Sequence, residues 1–407
     1  MKCAIHISLA LGASFFAATY SHATGPAFTG LFAKADSAST VFANPAGMSR
    51  LPGTQMSANG ILVVDFSEFE VDENKTTVDG GNPREPDPTL IPSFFYSRQF
   101  HDDWHFGASL NVPTGFGASN GPNWAGRYYN DRSSLVYIAL SPAVSYRIND
   151  DFSVGAATRI MYSESDIRTR VNNNLIGERY ADGKLEAQAD GLGAGFSISG
   201  LYTISPDTRV GLVYNSQVNI DMDSEVDLAN VRRPPEVIAR IQSQTVQVAD
   251  NVPMNVGAGV YHRLQNDWDF TLDVMWMDFS KFGVTEVYLE ETDVNLPQGE
   301  YNDFFMVTAG TSWPINSRMR GAVGVMWMEQ PMDEASRTFG MALDEMYGVG
   351  GGITYKLAGG NDIELSIDLL DTGSARIDTG DSLLKGRVAG ESKDPYSLLF
   401  DFTYNWR

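Results

Sequence analysis

The chain ends on PYSLLFDFTYNW, Pro395 to Trp406, followed by Arg407. Tyr396, Leu398, Phe400, Phe402, Tyr404 and Trp406 occupy every second position. Ser397, Leu399, Asp401, Thr403, Asn405 and Arg407 fall between them. Successive side chains of a strand point to opposite faces, so one face is wholly apolar or aromatic and the other mainly polar.

The same alternation recurs along the chain. In LVYIALSPAVSYRIN, Val136, Ile138, Leu140, Val144, Tyr146 and Ile148 share a face. In DFTLDVMW, Phe270, Leu272, Val274 and Trp276 alternate with Asp269, Thr271, Asp273 and Met275. The patterning predicts fourteen strands, near 54–66, 90–101, 104–115, 133–148, 152–171, 187–204, 208–227, 247–264, 268–288, 303–315, 319–332, 345–358, 362–379 and 395–407. Their connections alternate strictly. HDDW, NDD, SPD, QND, NS and AGGN are tight turns. The intervening links, such as EFEVDENKTTVDGGNPREPDP and FGASNGPNWAGRYYNDRS, are long. Short turns at one end and long loops at the other mark an outer-membrane barrel. A soluble sandwich or propeller gives no reason for that asymmetry. The predicted fold is therefore all-β, a fourteen-stranded antiparallel transmembrane β-barrel. Trp104, Tyr146, Trp268 and Trp406, at strand ends, suit an interfacial girdle.

Composition agrees. Mean hydropathy is -0.19. After the N-terminal segment no stretch reaches the roughly 18 apolar residues of a membrane helix. The net charge of -22 and the lack of a basic patch exclude nucleic acid as an expected partner. Residues 1–23 read as a signal peptide: Lys2, an apolar run, then Ser21-His22-Ala23 as a small-x-small cleavage site. The single cysteine, Cys3, falls inside that segment, so disulfides and thiol chemistry are not expected beyond it.

Fourteen strands enclose more space than their own side chains fill. Ahead of the first strand stands FANPAGMSRLPG, Phe42 to Gly53, rich in turn formers and without strand or helix periodicity. Both termini of an even-stranded barrel lie on the periplasmic side. Residues 24–53 are therefore expected to fold into the lumen as a plug, with residues 54–407 forming the wall. Irregular backbone is tolerated there, away from lipid.

ANPAG, Ala43 to Gly47, resembles the Asn-Pro-Ala motif in the hatch of the FadL family of outer-membrane transporters. Two further stretches resemble the same family: WAGRYYNDRSSL, Trp124 to Leu135, and DNVPMNVGAGVYHRLQNDWDFTLDVMWMDFSKF, Asp250 to Phe282. The resemblance assigns Asn44, Pro45 and Ala46 to the hatch motif. It implies passive uptake of hydrophobic compounds, long-chain fatty acids among them. The ligand binds in an outer-loop groove and enters the lumen, the hatch shifts, and the ligand leaves sideways where the third strand is kinked. Here that strand carries Asn111, Pro113 and Gly115. Pro113 cannot donate to a ladder, and Gly115 packs no side chain. The alternative is a strand that ends at Asn111.

For the groove, loop 228–246 is the better candidate, since loop 172–186 is polar. Pro234-Pro235 can start a helix that sets Val237, Ile238 and Ile241 on one face. Arg232, Arg233 and Arg240 can pair with a carboxylate head group; the alternatives are that they simply solvate a surface loop or hold lipopolysaccharide. Arg159 is expected to face the lumen. The negative net charge keeps neutral, including aromatic, hydrocarbons open as ligands. The rival function is a surface barrel with a closed lumen, acting in adhesion or phage binding. The expected location is the outer membrane of a Gram-negative bacterium, as a monomer among lipid and lipopolysaccharide. No cofactor, metal site or enzyme activity is expected. His101 and His105 are four apart but in a turn, and no P-loop is present.

Overall fold

A computed structural model of the chain describes residues 28–174, 180–236, 238, 246–289, 294–295 and 300–407. The proposed signal peptide, 1–23, lies outside the described residues. Fourteen antiparallel strands close into a barrel. β1 is Thr54–Asp65, β2 Thr89–His101, β3 Trp104–Ser119, β4 Arg132–Arg147, β5 Phe152–Val171 and β6 Gly183–Ser205. β7 runs as Thr208–Asn215 and Val218–Ala229, β8 as Val246–Val252 and Asn255–Arg263, and β9 as Asp269–Met277 and Gly283–Leu289. β10 is Phe304–Pro314, β11 Met319–Met328, β12 Met346–Lys356, β13 Asp362–Asp371 and β14 Tyr396–Trp406. Each strand pairs with its neighbour in sequence, and β14 returns to β1 with Met56 opposite Trp406. The ring closes strand to strand, as a bilayer demands because lipid offers backbone groups no partner, and its ladder between β2 and β3 is shortened.

The polarity of the wall is inverted relative to a soluble barrel. On β14, Ser397, Thr403 and Asn405 are at most 1% exposed, whereas Phe400 is 39% and Phe402 49% exposed. On β9, Asp269 and Asp273 are buried while Phe270 and Leu272 are exposed. The apolar stripe read from the sequence therefore faces outward, to lipid. At the turn-bearing rim, Trp104 and Tyr146 sit 4.6 Å apart and Trp268 stacks on Trp313 at 5.4 Å. Amphipathic rings favour this depth.

Strand boundaries differ from expectation at informative places. β3 continues to Ser119 instead of ending near 115. The predicted strand 362–379 stops at Asp371, where the Asp371 carboxylate accepts from Gly373 N–H and Gly373 turns the chain at φ +72°. Its remainder, Arg376–Asp378, joins Ala389–Lys393 and Glu68–Val71 in a small outer sheet. β7, β8 and β9 are each interrupted at one common level. Pro253 lacks an N–H, Phe279–Lys281 forms a single 3-10 turn, and Ser216 Oγ takes over the bond from Phe196 N–H.

Phe400 stands midway along β14 and faces outward. Phe400→Arg is expected to cost about 2–4 kcal/mol of folding stability in a bilayer. Denaturant titration into lipid vesicles checks this; a loss near zero would mean that the position does not meet lipid.

Candidate functional site

The chain between Phe28 and Leu51 is enclosed by the barrel. Thr40–Ala43 forms one helical turn, α1, and Pro45–Arg50 a 3-10 segment. Asn44 joins them in extended conformation, with Pro45 pre-set at the first helical position. The Asn44 carboxamide is fully buried. It donates to the Phe32 carbonyl at 2.6 Å and accepts from Ala46 N–H at 3.1 Å. Ala46 N–H also donates to Ser199 Oγ, and the Ala46 carbonyl accepts from Ser145 Oγ at 3.2 Å and Ser153 Oγ at 3.0 Å. Pro45 thus fixes the turn, Asn44 closes it, and Ala46 ties its backbone to β4, β5 and β6.

Opposite those strands, the Asp273 carboxylate of β9 accepts from the N–H groups of Gly30, Leu31 and Phe32 at 2.7, 3.1 and 3.1 Å. Arg209 of β7 donates to the carbonyls of Ala33 and Lys34, and Arg407 to that of Asp36. Wall glycines make room for the segment. A Cβ at Gly211 would overlap the Phe32 carbonyl, and one at Gly257 the Phe32 ring. Polar lumen side chains thereby satisfy irregular backbone that would otherwise be buried without partners.

Above this segment lies a small, largely apolar cavity of about 60 Å³. Leu31, Phe32 and Phe42 form its floor. Pro113 and Thr114 enter from β3, Met161 from β5, Met275 and Met277 from β9, and Pro253 and Phe282 from the interruptions of β8 and β9. The surrounding lumen is rich in methionine, with Met222, Met306, Met326, Met328 and Met346 all at most 3% exposed. Thioether side chains accommodate varied apolar shapes. The one cation in the cavity lining is Arg159, 7% exposed. Its guanidinium lies 4.3 Å over the Phe42 ring and donates to the Phe42 carbonyl at 3.4 Å. Among the described residues no carboxylate lies within ion-pair distance of it.

The wall beside the cavity is incomplete in its pairing. The β2–β3 ladder ends at Phe94–Leu110, although both strands continue beyond it. Pro92 and Pro113 stand on the two facing edges, and neither has an N–H to give. On its other side β3 stays paired with β4, with a register shift between Asn111 and Thr114. Asn111 is buried and Gly115 pairs with Val136. The interruption is thus a bulge at 112–113 within a continuing strand.

Other sequence candidates lie elsewhere. Arg232 covers the Tyr180 ring at 3.5 Å and Arg233 donates to the Asn172 carbonyl, so both tie loop to loop and neither lines the cavity with Arg159. Pro235, Glu236 and Ile238 are helical, with Ile238 N–H donating to the Pro234 carbonyl. Val237, Arg240 and Ile241 lie outside the described residues. An outer cavity of about 210 Å³ forms instead among other loops, around Phe69, Trp124, Phe339 and Ile377. Trp124 meets Phe339 edge-on at 4.8 Å. Arg127 anchors this region to Asp79 at 2.9 Å and Asp182 at 2.8 Å. Burial and the adjacent Asp182 carboxylate push the Tyr128 phenol up to about 12, so it remains a donor to Asp182.

Residues 3–406 match the model of a family described as outer membrane protein transport protein (OMPP1/FadL/TodX). The chain belongs to this family of outer-membrane transport barrels. It is 21% identical over 412 residues to the long-chain fatty acid transport protein of Escherichia coli O6:H1, covering 94% of this chain and 91% of that protein. The barrel superposes on a Pseudomonas aeruginosa FadL homologue with a TM-score of 0.79 at 16% identity, over 98% of this chain and 99% of that one. The Ralstonia pickettii toluene transporter TbuX aligns with a TM-score of 0.65 at 16% identity, over 96% and 97% of the two chains.

Hydrogen bonds to a charged acceptor contribute about 1.5–3 kcal/mol each. Asp273→Ala is therefore expected to loosen the Gly30–Phe32 turn. Limited proteolysis of the detergent-purified chain should then cut within residues 28–36 while the wall stays intact. Protection equal to the parent protein would show that Asp273 does not hold the segment.

Proposed function

We propose that this barrel carries hydrophobic acids, long-chain fatty acids foremost, across the outer membrane without an energy source. The observation that carries this reading is Arg159, a buried guanidinium without a carboxylate partner among the described residues, in a cavity whose lining is mainly apolar with Thr114, Asn215 and Asn255 as its neutral polar members. A carboxylate head group would supply the missing counter-charge by charge-assisted hydrogen bonds. The acyl chain would lie among Phe32, Met275 and Met277, gaining about 0.8 kcal/mol per buried CH₂.

In this reading cargo gathers in the aromatic outer cavity around Trp124 and Phe339, then descends to Arg159. Residues 24–53 act as a hatch with Asn44-Pro45-Ala46 at its elbow. The cargo leaves sideways past Pro113, where the β2–β3 ladder has ended, and enters the bilayer. Loss into lipid keeps the step downhill. The protein works as a monomer within lipid and lipopolysaccharide, as a carrier and not as an enzyme. The alternative of a closed adhesion barrel leaves the apolar cavity and its lone cation without a use.

Arg159→Gln should weaken oleate binding roughly tenfold to a hundredfold, about 1.5–3 kcal/mol, and leave toluene binding within twofold. Fluorescence titration with both ligands checks this. Equal losses for the two would remove the acid and favour a neutral hydrocarbon. Pro113→Val should close the bulge and slow uptake of labelled oleate by cells without weakening binding to the purified protein. Normal uptake would show that cargo exits elsewhere.

A further inference from the structure

The inner face of β13, β14 and β1 carries a feature that the apolar cavity does not use. Register places a carboxylate at each of five successive inward levels. Asp362 lies beside Asn405, Glu364 beside Thr403, Asp401 beside Ser366, Asp368 beside Leu399, and Asp65 beside Ser397. The five levels cover about 27 Å of strand at roughly 3.4 Å per residue. That is the scale of the apolar band of an outer-membrane barrel, about 25 Å.

The column lies between two separate spaces, with Asp368, Leu370, Leu399 and Ser397, each at most 3% exposed, packed at the levels that divide them. Below, Glu364, Ser366 and Asp401 line a polar vestibule of about 760 Å³ that rises beside Thr29, Lys34 and Asp36 of the N-terminal segment. Above, Asp65 lines the outer cavity. Ser397 Oγ, fully buried, donates to Asp65 at 3.1 Å and bridges the last step.

Two observations independent of the acids point to a hydrated path. Gln55 lines the vestibule at 6% exposure, and its Oε1 has no hydrogen-bond partner among the described residues. Asn59 Oδ1, Ser93 Oγ and Ser97 Oγ on the adjoining β1–β2 wall share that condition. Buried polar atoms left unmatched by protein are met by water where the space is polar and roomy.

The cations of the vestibule are largely spent. Arg407 pairs with Asp362 at 2.9 Å, Lys34 with Asp36 at 3.2 Å, and Arg263 and Arg320 both with Asp269. Lys356 stands at the exposed mouth. Glu364, Asp401 and Asp65 have no ion pair among the described residues. Carboxylates lining a pore select for cations.

We propose that the β13–β14–β1 wall carries a hydrated path for small monovalent cations, running from the outer cavity to the periplasmic vestibule past the N-terminal segment. It is separate from the apolar cavity and does not depend on which hydrophobic cargo that cavity takes. Folded full-length protein in planar bilayers, under a KCl gradient and with no hydrophobic ligand, should show a small steady conductance with a cation-side reversal potential. The isosteric double variant Glu364→Gln with Asp401→Asn should move that potential toward zero. Absence of conductance above the lipid background, or an unchanged potential in the folded double variant, would overturn the proposal. Should that variant fail to fold, Ser366→Cys with Cys3→Ser reads the same property. The new thiol should react at least about tenfold faster with a cationic than with an anionic methanethiosulfonate, in line with steering by fixed charge. Equal rates would overturn it.

Discussion

The constraint on which the rest depends is closure of the backbone ladder in lipid. A strand in a bilayer cannot leave its N–H and C=O groups to the solvent, so the sheet must return upon itself. Once β14 has joined β1, every second side chain meets hydrocarbon and the others meet the lumen. Phe402 outside and Thr403 inside are consequences of that single closure. The inner face inherits hydroxyls, carboxamides and carboxylates, and these are the groups that can hold an irregular peptide. Asp273 and the serines around Ala46 receive the N-terminal segment for this reason.

The segment in turn makes an apolar chamber possible inside a partly polar tube. Leu31, Phe32 and Phe42 face upward and complete a surface that the wall begins with methionines. Below it the vestibule stays polar. The segment thereby separates the largely apolar cavity on its loop side from the polar vestibule on its periplasmic side. In the proposed reading, a cargo that is apolar with one anionic end suits the apolar cavity, where Arg159 is the one cation of the lining.

Much of the wall was legible before any coordinates. Alternation in PYSLLFDFTYNW and DFTLDVMW reports burial directly, because period two maps onto inside and outside. Turn chemistry marked the short connections. Pro113 announced a weakened ladder, although the strand goes on to Ser119 where an ending was the alternative. Less legible were features made by residues far apart in sequence. The cavity joins Phe42, Pro113, Arg159, Pro253 and Met275, and no local pattern links them. The common interruption of β7, β8 and β9 was hidden because an apolar alternation continues on both sides of it; Pro253 was its only visible mark. Among the loops, composition favoured 228–246, yet the aromatic outer cavity is assembled from Phe69, Trp124 and Phe339, on three different loops.

In the proposed binding mode a hydrophobic acid rests above the N-terminal segment with its head on Arg159. The most direct test is an experimental structure of the protein crystallised with oleate or a brominated analogue. The carboxylate is expected within hydrogen-bond reach of the Arg159 guanidinium, and the chain between Phe32, Met275 and Met277. Ligand density confined to the outer loops, or a head group turned away from Arg159, would contradict it.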